Sequence, residues 1–239
     1  MSGVWLILPT YNEAENIAAL VAAALPQLAA TGREHRILVV DDGSPDGTGE
    51  IADRLAAENP GRVEVLHRAS KDGIGPAYLA GFGRALAGGA DLLMEMDSDF
   101  SHDPADIPRL VAAAERADLV LGSRYVPGGG VTDWGRGRRL ISRGGSLYAR
   151  AILGIPVNDL TGGFKCFNRR VLERLDLTGI DADGYGFQIE MTYRAIKAGF
   201  TVEEVPILFR DRRVGSSKMS ARIAVEAFWK VPLLRLRSR

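Results

Sequence analysis

The chain has 239 residues, 46% hydrophobic and 25% charged, which suits a soluble globular protein with a full core. Thirty Lys and Arg balance thirty Asp and Glu, so no global field draws the molecule to nucleic acid, although the stretch from Phe209 onward is strongly basic. One cysteine, Cys166, excludes an internal disulfide and reads as a small buried hydrophobe in a reducing compartment.

In chain order, apolar runs at 4–9, 36–42, 63–67, 91–97 and 118–123 read as strands. All but the third are nearly continuous in apolar residues, the pattern of strands covered on both faces. The segments between them, 13–30, 46–59, 75–89 and 103–117, are each long enough for a crossover helix. Asn12 with Glu15 three residues on predicts a capping box at the first helix, and Asp103-Pro104 predicts the start of the fourth. This βαβ repetition predicts an α/β fold with a mostly parallel sheet and helices on both faces.

Beyond it comes a glycine-rich stretch, "PGGGVTDWGRGRR" (127–139), then a helical pattern over 138–153 and an irregular run, "GIPVNDLTGGFKCFNRR". Helices at 169–175 and 186–198 and a strand in "TVEEVPILFR" follow. The expectation is one domain with a mobile C-terminal third. Residues 220–239 form a basic amphipathic pattern, with Ile223, Ala227, Val231 and Leu234 on one side and Arg235, Arg237 and Arg239 at its end, interrupted by Pro232. Such a segment suits an anionic membrane surface, the protein's own core or a membrane partner. No run reaches the roughly 18 apolar residues of a membrane span, and "MSG" leads into a strand with no signal-peptide pattern, so a cytoplasmic location is expected.

Ligands of open α/β sheets collect beyond the carboxyl ends of the strands. Those ends read "PTYNE" (9–13), "DDGSPDG" (41–47), "DSDFSHD" (97–103) and "GSRY" (122–125). Each is ordinary turn chemistry by itself, but so many acidic groups at one edge call for cations or donors. On a strand, Asp97 and Asp99 would face one spot together, a natural seat for a divalent cation. His102 is a ligand by residue type, but its place at a helix start predicts a ring facing solvent. No G-x-G-x-x-G follows the first strand, which argues against a dinucleotide site.

The ordered set "LPTYNEAENI", "VVDDGSPDGT", "MDSDFSHDP" and "GSRYVPGG" resembles a family 2 glycosyltransferase of the GT-A fold. More narrowly, "RRLISRGGSLYAR", "NDLTGGFKCF", "GYGFQIEM" and "RDRRVGSSKMS" resemble the dolichyl- or polyprenyl-phosphate mannosyltransferases. The resemblance runs from about residue 4 to 220 and implies a catalytic domain over 1–220 followed by the basic amphipathic segment 221–239. It implies an enzyme moving mannose from GDP-mannose to a polyprenyl phosphate, with inversion, at the cytoplasmic membrane face. It assigns Pro9, Tyr11, Glu13, Val40 and Asp42 to the nucleotide, and Asp97, Ser98 and Asp99 to the metal-bound diphosphate. Asp97 and Asp99 would be the catalytic pair holding Mg²⁺ or Mn²⁺, with Asp99 the direct ligand; some relatives have an amide where this chain has Ser101. Arg212 and Lys218 would close over the diphosphate, while Arg124, Arg138 and Ser142 would bind the acceptor phosphate. An acceptor that is already anionic needs no general base, and the Q-x-x-R-W motif of the polysaccharide synthases is absent. Glu190 is the nearest carboxylate to orient an acceptor, or is structural.

A separate integral membrane protein is a further expected partner. A polyprenyl-phosphate glucosyltransferase or another sugar specificity is the alternative within the class. Outside it stand a phosphohydrolase with Asp97 as nucleophile and a non-catalytic nucleotide-binding module.

Overall fold

The computed structural model describes residues 3–132, 135–180, 184–211 and 229–236, without the side chains of Arg136 and Arg138. The chain runs β1 (Gly3–Thr10), α1 (Ile17–Ala29), β2 (His35–Asp41), α2 (Thr48–Glu58), β3 (Val63–His67), α3 (Ile74–Ala87) and β4 (Ala90–Glu95). A 3-10 turn (Pro104–Asp106) leads into α4 (Ile107–Ala113), followed by β5 (Leu119–Ser123), β6 (Gly130–Val131) and α5 (Arg136–Leu153). Then come β7 (Lys165–Asn168), α6 (Arg169–Arg174), α7 (Gly184–Lys197), β8 (Val202–Pro206) and β9 (Leu208–Phe209).

Seven strands form one sheet in the order β3-β2-β1-β4-β7-β5-β8, parallel except for β7, and β6 pairs with β9 in a small ribbon. Alternation along β1 explains the continuous apolar runs. Trp5 and Ile7 enter a core with residues of α3, α5, α6 and α7; Val4, Leu6 and Leu8 enter the other with α1, α2 and α4. The α3 face comes close enough that a Cβ on Gly81 would lie 2.6 Å from Ile7 Cγ2, so this contact requires glycine.

The α/β architecture with helices on both faces is as expected; its details differ in four places. First, the run expected to be irregular contains β7. This strand has only four residues, Lys165 among them, and gains strand character by inserting antiparallel between β4 and β5. With β7 and β8 inside the sheet, most of the described C-terminal third is woven into the fold. Second, no capping box forms: α1 begins at Ile17, and Asn12 sits in a left-handed turn at φ 55°. Third, β4 stops at Glu95, so Asp97 and Asp99 lie in a turn and strand alternation does not orient them. Fourth, residues 229–236 are helical through Pro232, whose fixed φ is compatible with a helix. The expected boundary at 220 and Ile223, Ala227, Arg237 and Arg239 lie outside the described residues.

From β1 the chain moves outward through β2 to β3, then returns to place β4 on the opposite side of β1. The carboxyl ends of β1 and β4 therefore flank the point where strand order reverses, the usual ligand crevice of such sheets.

Candidate functional site

The loops after β1 and β2 are laced together. Backbone N–H groups of Asn12, Glu13 and Ala14 donate to Ser44 Oγ (3.0 Å), Thr48 Oγ1 (2.9 Å) and Asp46 Oδ2 (3.1 Å). Asp41 shapes its own turn, accepting from Ser44 N–H at 3.2 Å and Ser44 Oγ at 2.5 Å. Asp42 instead points to Arg68, 2.6 Å from Nη1. Burial raises the Asp42 carboxyl above its ordinary range, with the Arg68 guanidinium opposing the rise. Glu13 is buried and accepts from Asn16 Nδ2 at 2.8 Å. Lys71 Nζ lies 4.3 Å from the centre of the Tyr11 ring, a cation on the face where a base would stack. The Val40 side chain is wholly buried in the core, so only its backbone belongs to this edge.

Beside this platform, β4 delivers the aspartate turn. Ser98 Oγ donates to Pro9 O at 2.8 Å, pinning the turn to the end of β1. Asp99 is buried and accepts from Ser101 N–H at 3.0 Å. Phe100 has φ 60°, and it and Asn12 are the non-glycine residues with positive φ among those described. Both lie at this crevice; for a phenylalanine the conformation is a genuine outlier, the kind of strain that gathers at functional sites. Asp97 Oδ1 is 3.5 Å from Tyr78 OH, and Oδ2 is 3.5 Å from His102 Nε2. A Cβ at Gly163 would stand 3.3 Å from Asp97 Oδ1, so the glycine keeps space open at that carboxylate. The solvent-facing His102 expected from sequence is overturned: the ring is 1% exposed, packed against Phe164 and Phe209.

No group of three or more His, Cys, Asp or Glu side chains converges as a metal cage among the described residues. Two carboxylates on a tight turn nevertheless suit a hard cation whose other ligands are phosphate oxygens and water. Asp97 and Asp99 are the residues that would hold it.

Across the crevice, the end of β5 is organised by long-range bonds. Arg124 Nε and Nη2 each lie 2.7 Å from the Asp159 carboxylate, and Nη2 is 2.8 Å from Thr161 Oγ1. Burial works against both charges, but the partners outweigh it, raising Arg124 and lowering Asp159 from their ordinary pKa. Here Arg124 is a buried ion pair, its fork turned to Asp159, which departs from the open phosphate grip expected. Glu204 accepts from Ser123 Oγ at 2.7 Å and from the backbone of Asn158 and Asp159, both at 2.9 Å. Ser142 accepts from Tyr125 OH at 2.7 Å, on the face of α5 toward β5. Glu190 bonds Arg194 at 2.8 Å, whose other nitrogens donate to Asp176 O and Gly179 O, a structural clasp between α7 and the preceding loop. Arg212 and Lys218 lie outside the described residues, as does the side chain of Arg138.

An apolar surface adjoins this side. Leu140, Ile141 and Leu147 of α5 and Trp229, Leu233 and Leu236 of the C-terminal helical segment are all 50–75% exposed. That segment docks on the core through Val231 and Leu234. The sequence of α5 holds five arginines and no acidic residue. A cavity of about 390 Å³ lies along its last turns, lined by Leu147, Arg150, Ala151, Gly154, Ile155 and Pro156.

Residues 5–176 match the sequence profile of Glycosyl transferase family 2. The chain belongs to that family. Among its relatives, polyprenol monophosphomannose synthase of Mycolicibacterium smegmatis is 49% identical over 238 residues, covering 98% of this chain and 87% of the relative. Undecaprenyl-phosphate mannosyltransferase of Micrococcus luteus is 48% identical over 236 residues, covering 99% and 95%. Of solved structures, glucosyl-3-phosphoglycerate synthase from Mycobacterium tuberculosis with Mg²⁺ and uridine-diphosphate superposes with a TM-score of 0.71 at 21% identity. The match covers 98% of this chain and 79% of that one. The same enzyme with Mn²⁺, uridine-diphosphate and glucosyl-3-phosphoglycerate gives 0.68 at 22%, over 99% and 80%. The fold is GT-A.

Within this family 2 chain, the structure gathers Pro9, Tyr11, Glu13, Asp42, Asp97, Ser98 and Asp99 at one crevice, with Arg124 and Ser142 at the neighbouring strand end. Asp159, Glu204 and Gly163 join the site without a sequence expectation, and His102, expected in solvent, is buried beside it. Asp159 and Gly163 fall inside "NDLTGGFKCF", but the partner of Asp159 is 35 residues away and no local pattern points to it.

Proposed function

We propose that this family 2 glycosyltransferase moves mannose from GDP-mannose to a polyprenyl phosphate. The relatives supporting the reading are alike over nearly the whole chain and carry mannosyltransferase names. The observation that carries it is a juxtaposition. The aspartate turn has Gly163 against Asp97, and the loop holding Gly163 bonds through Thr161 to Ser146 of α5, a helix rich in arginine, free of acids and exposed at Leu140, Ile141 and Leu147. A lipid phosphate needs both features, since its head group is anionic and its tail must stay out of water.

On this reading the nucleoside sits on the laced loops near Tyr11 and Asp42, and the diphosphate at Asp97–Asp99. Mg²⁺ or Mn²⁺ held by these carboxylates would supply charge neutralisation to the departing GDP. The acceptor phosphate oxygen attacks the anomeric carbon. A carbon–oxygen bond forms as the bond to the β-phosphate oxygen breaks, GDP leaves with that electron pair, and configuration inverts. The acceptor is an anion near neutral pH, so the chain has only to align it. Ser142 serves that alignment, with the Arg124–Asp159 pair fixing the strand end beside it; on the family resemblance Arg138, Arg212 and Lys218 supply further cations. The exposed leucines and Trp229 seat the molecule on the cytoplasmic membrane face, alone or beside a membrane partner.

The test is transfer of labelled sugar into an organic-phase lipid from GDP-mannose, against UDP-glucose, with Mn²⁺ or Mg²⁺ and with EDTA. The expected result is metal-dependent, β-linked polyprenyl phosphate mannose, and Asp99→Ala lowering the rate on the order of 10²–10³-fold. Preference for UDP-glucose overturns the donor, an α-linked product overturns inversion, and undiminished transfer in Asp99→Ala overturns the site.

A further inference from the structure

The proposed reaction makes no use of His102. It is 1% exposed, and neither ring nitrogen has a hydrogen-bond partner among the described residues. The ring packs at 5.2 Å from Phe164 and edge-on at 5.1 Å from Phe209, a slot a phenylalanine would fill without burying two polar atoms. Leaving a buried polar group unbonded is destabilising. The nitrogens are therefore held against a cost, and Nε2 points at Asp97 Oδ2, 3.5 Å away.

On its other side Asp97 meets Tyr78 OH at 3.5 Å and the bare backbone of Gly163. The carboxylate thus lies between two ring-borne donors from different parts of the fold, each slightly beyond the 2.7–3.2 Å of a well-made bond. The scaffold behind His102 is firm. Arg210 N–H donates to Ser101 O at 3.0 Å, and Asp103 Oδ1 caps the following turn through Ala105 N–H at 3.0 Å. The imidazole is packed between two aromatic rings, and Asp97 Oδ2 is the carboxylate oxygen it faces.

We propose that His102 is a positioning residue. Its Nε2–H holds Asp97 Oδ2, fixing which carboxylate oxygen faces the cation and the donor sugar, as the outer hydrogen bonds of a ligating group do. The inference rests on reading Asp97 and Asp99 as the diphosphate turn.

The experiment measures Mn²⁺ affinity in the presence of GDP, by electron paramagnetic resonance of free Mn²⁺, with no turnover involved. His102→Phe keeps the packing and removes the donor. It should unfold at or above the wild-type temperature yet bind Mn²⁺ about 10–100-fold more weakly. In an Asp97→Asn background the same substitution should add little, because the two side chains act as one unit. His102→Gln, which keeps a donor, should recover most of the affinity, and it decides the matter if His102→Phe does not fold. Wild-type affinity in His102→Phe, or an undiminished loss in the Asp97→Asn background, overturns the proposal. An Asp99→Ala variant that binds Mn²⁺ and GDP normally overturns the reading of the turn, and this proposal with it.

Discussion

The two sides of the crevice are built differently. On the donor side, turns are closed by side chains bonding backbone or hydroxyl groups two or three residues away: Asp41 with Ser44, Asp46 with Thr48, Asp99 with Ser101, Asp103 with Ala105. On the proposed acceptor side, Arg124 with Asp159 and Ser123 with Glu204 join residues 35 and 81 apart, and the Arg124–Asp159 charges are buried. The proposed donor edge is a set of locally closed turns tied to one another by neutral hydroxyls and partly exposed carboxylates; the proposed acceptor edge is built round a buried ion pair beside an apolar surface. A local turn can lose a bond and leave the sheet intact, whereas a buried pair broken on one side leaves an uncompensated charge.

The sharpest way to break this comparison is Arg124→Met. It should lower unfolding free energy by about 3–5 kcal/mol in urea, and Asp159→Asn should do much the same. Combining the two should cost less than the sum, since the second change removes the stranded charge. If Arg124→Met is neutral, the ion pair does not hold this edge together and the contrast fails.

Next in size, Ile141→Ser and Leu147→Ser should each weaken sedimentation with anionic lipid vesicles by about 1–3 kcal/mol while leaving the unfolding temperature unchanged. Loss of stability with no loss of vesicle binding would make this face part of the core instead.

The smallest expected effect concerns Glu95, paired in register with Lys165 directly before the aspartate turn. Burial raises its carboxyl from 4.5 to about 7, with the Lys165 ammonium opposing. The folded state then keeps this proton to higher pH than the unfolded chain does. The stability it contributes is complete below pH 4.5 and is lost as pH rises toward about 7. Burial lowers Lys165 to about 8, so its effect falls at more alkaline pH. Glu95→Gln should flatten the melting temperature between those acid limits by a few degrees relative to wild type; an unchanged profile would place the titration elsewhere.

Much of this was legible in the sequence. The strands at 4–9, 36–42, 63–67 and 118–123 lie within a residue or two of their observed ends; in all but the edge strand at 63–67, burial on both faces writes a continuous apolar run. Cys166 is buried, its thiol pushed up to about 12 by that burial, an inert position as expected. The C-terminal segment was read as suited to membrane or core, and its described part does one thing with each face: Val231 and Leu234 pack inward while Trp229, Leu233 and Leu236 face out. His102 was misread because a helix start says nothing of what packs over it. Phe209, which covers the ring, comes from a strand more than a hundred residues later.

Sequence alone determined the parallel α/β architecture, the polar loops at the strand ends, the aspartate pair and the family, since each is written in residues a few positions apart; that the pair would lie beyond the strand was not among them. Only the tertiary structure decided that β7 would lie antiparallel between β4 and β5, bringing Gly163 beside Asp97 and Lys165 opposite Glu95. It alone decided that Arg124 would turn inward to Asp159 and that His102 would be walled in by Phe164 and Phe209. Turn and cap bonds depend on local geometry, which the chain carries with it. Buried charges and orphaned nitrogens depend on which distant segments the folded sheet brings together, and no spacing along the chain records that.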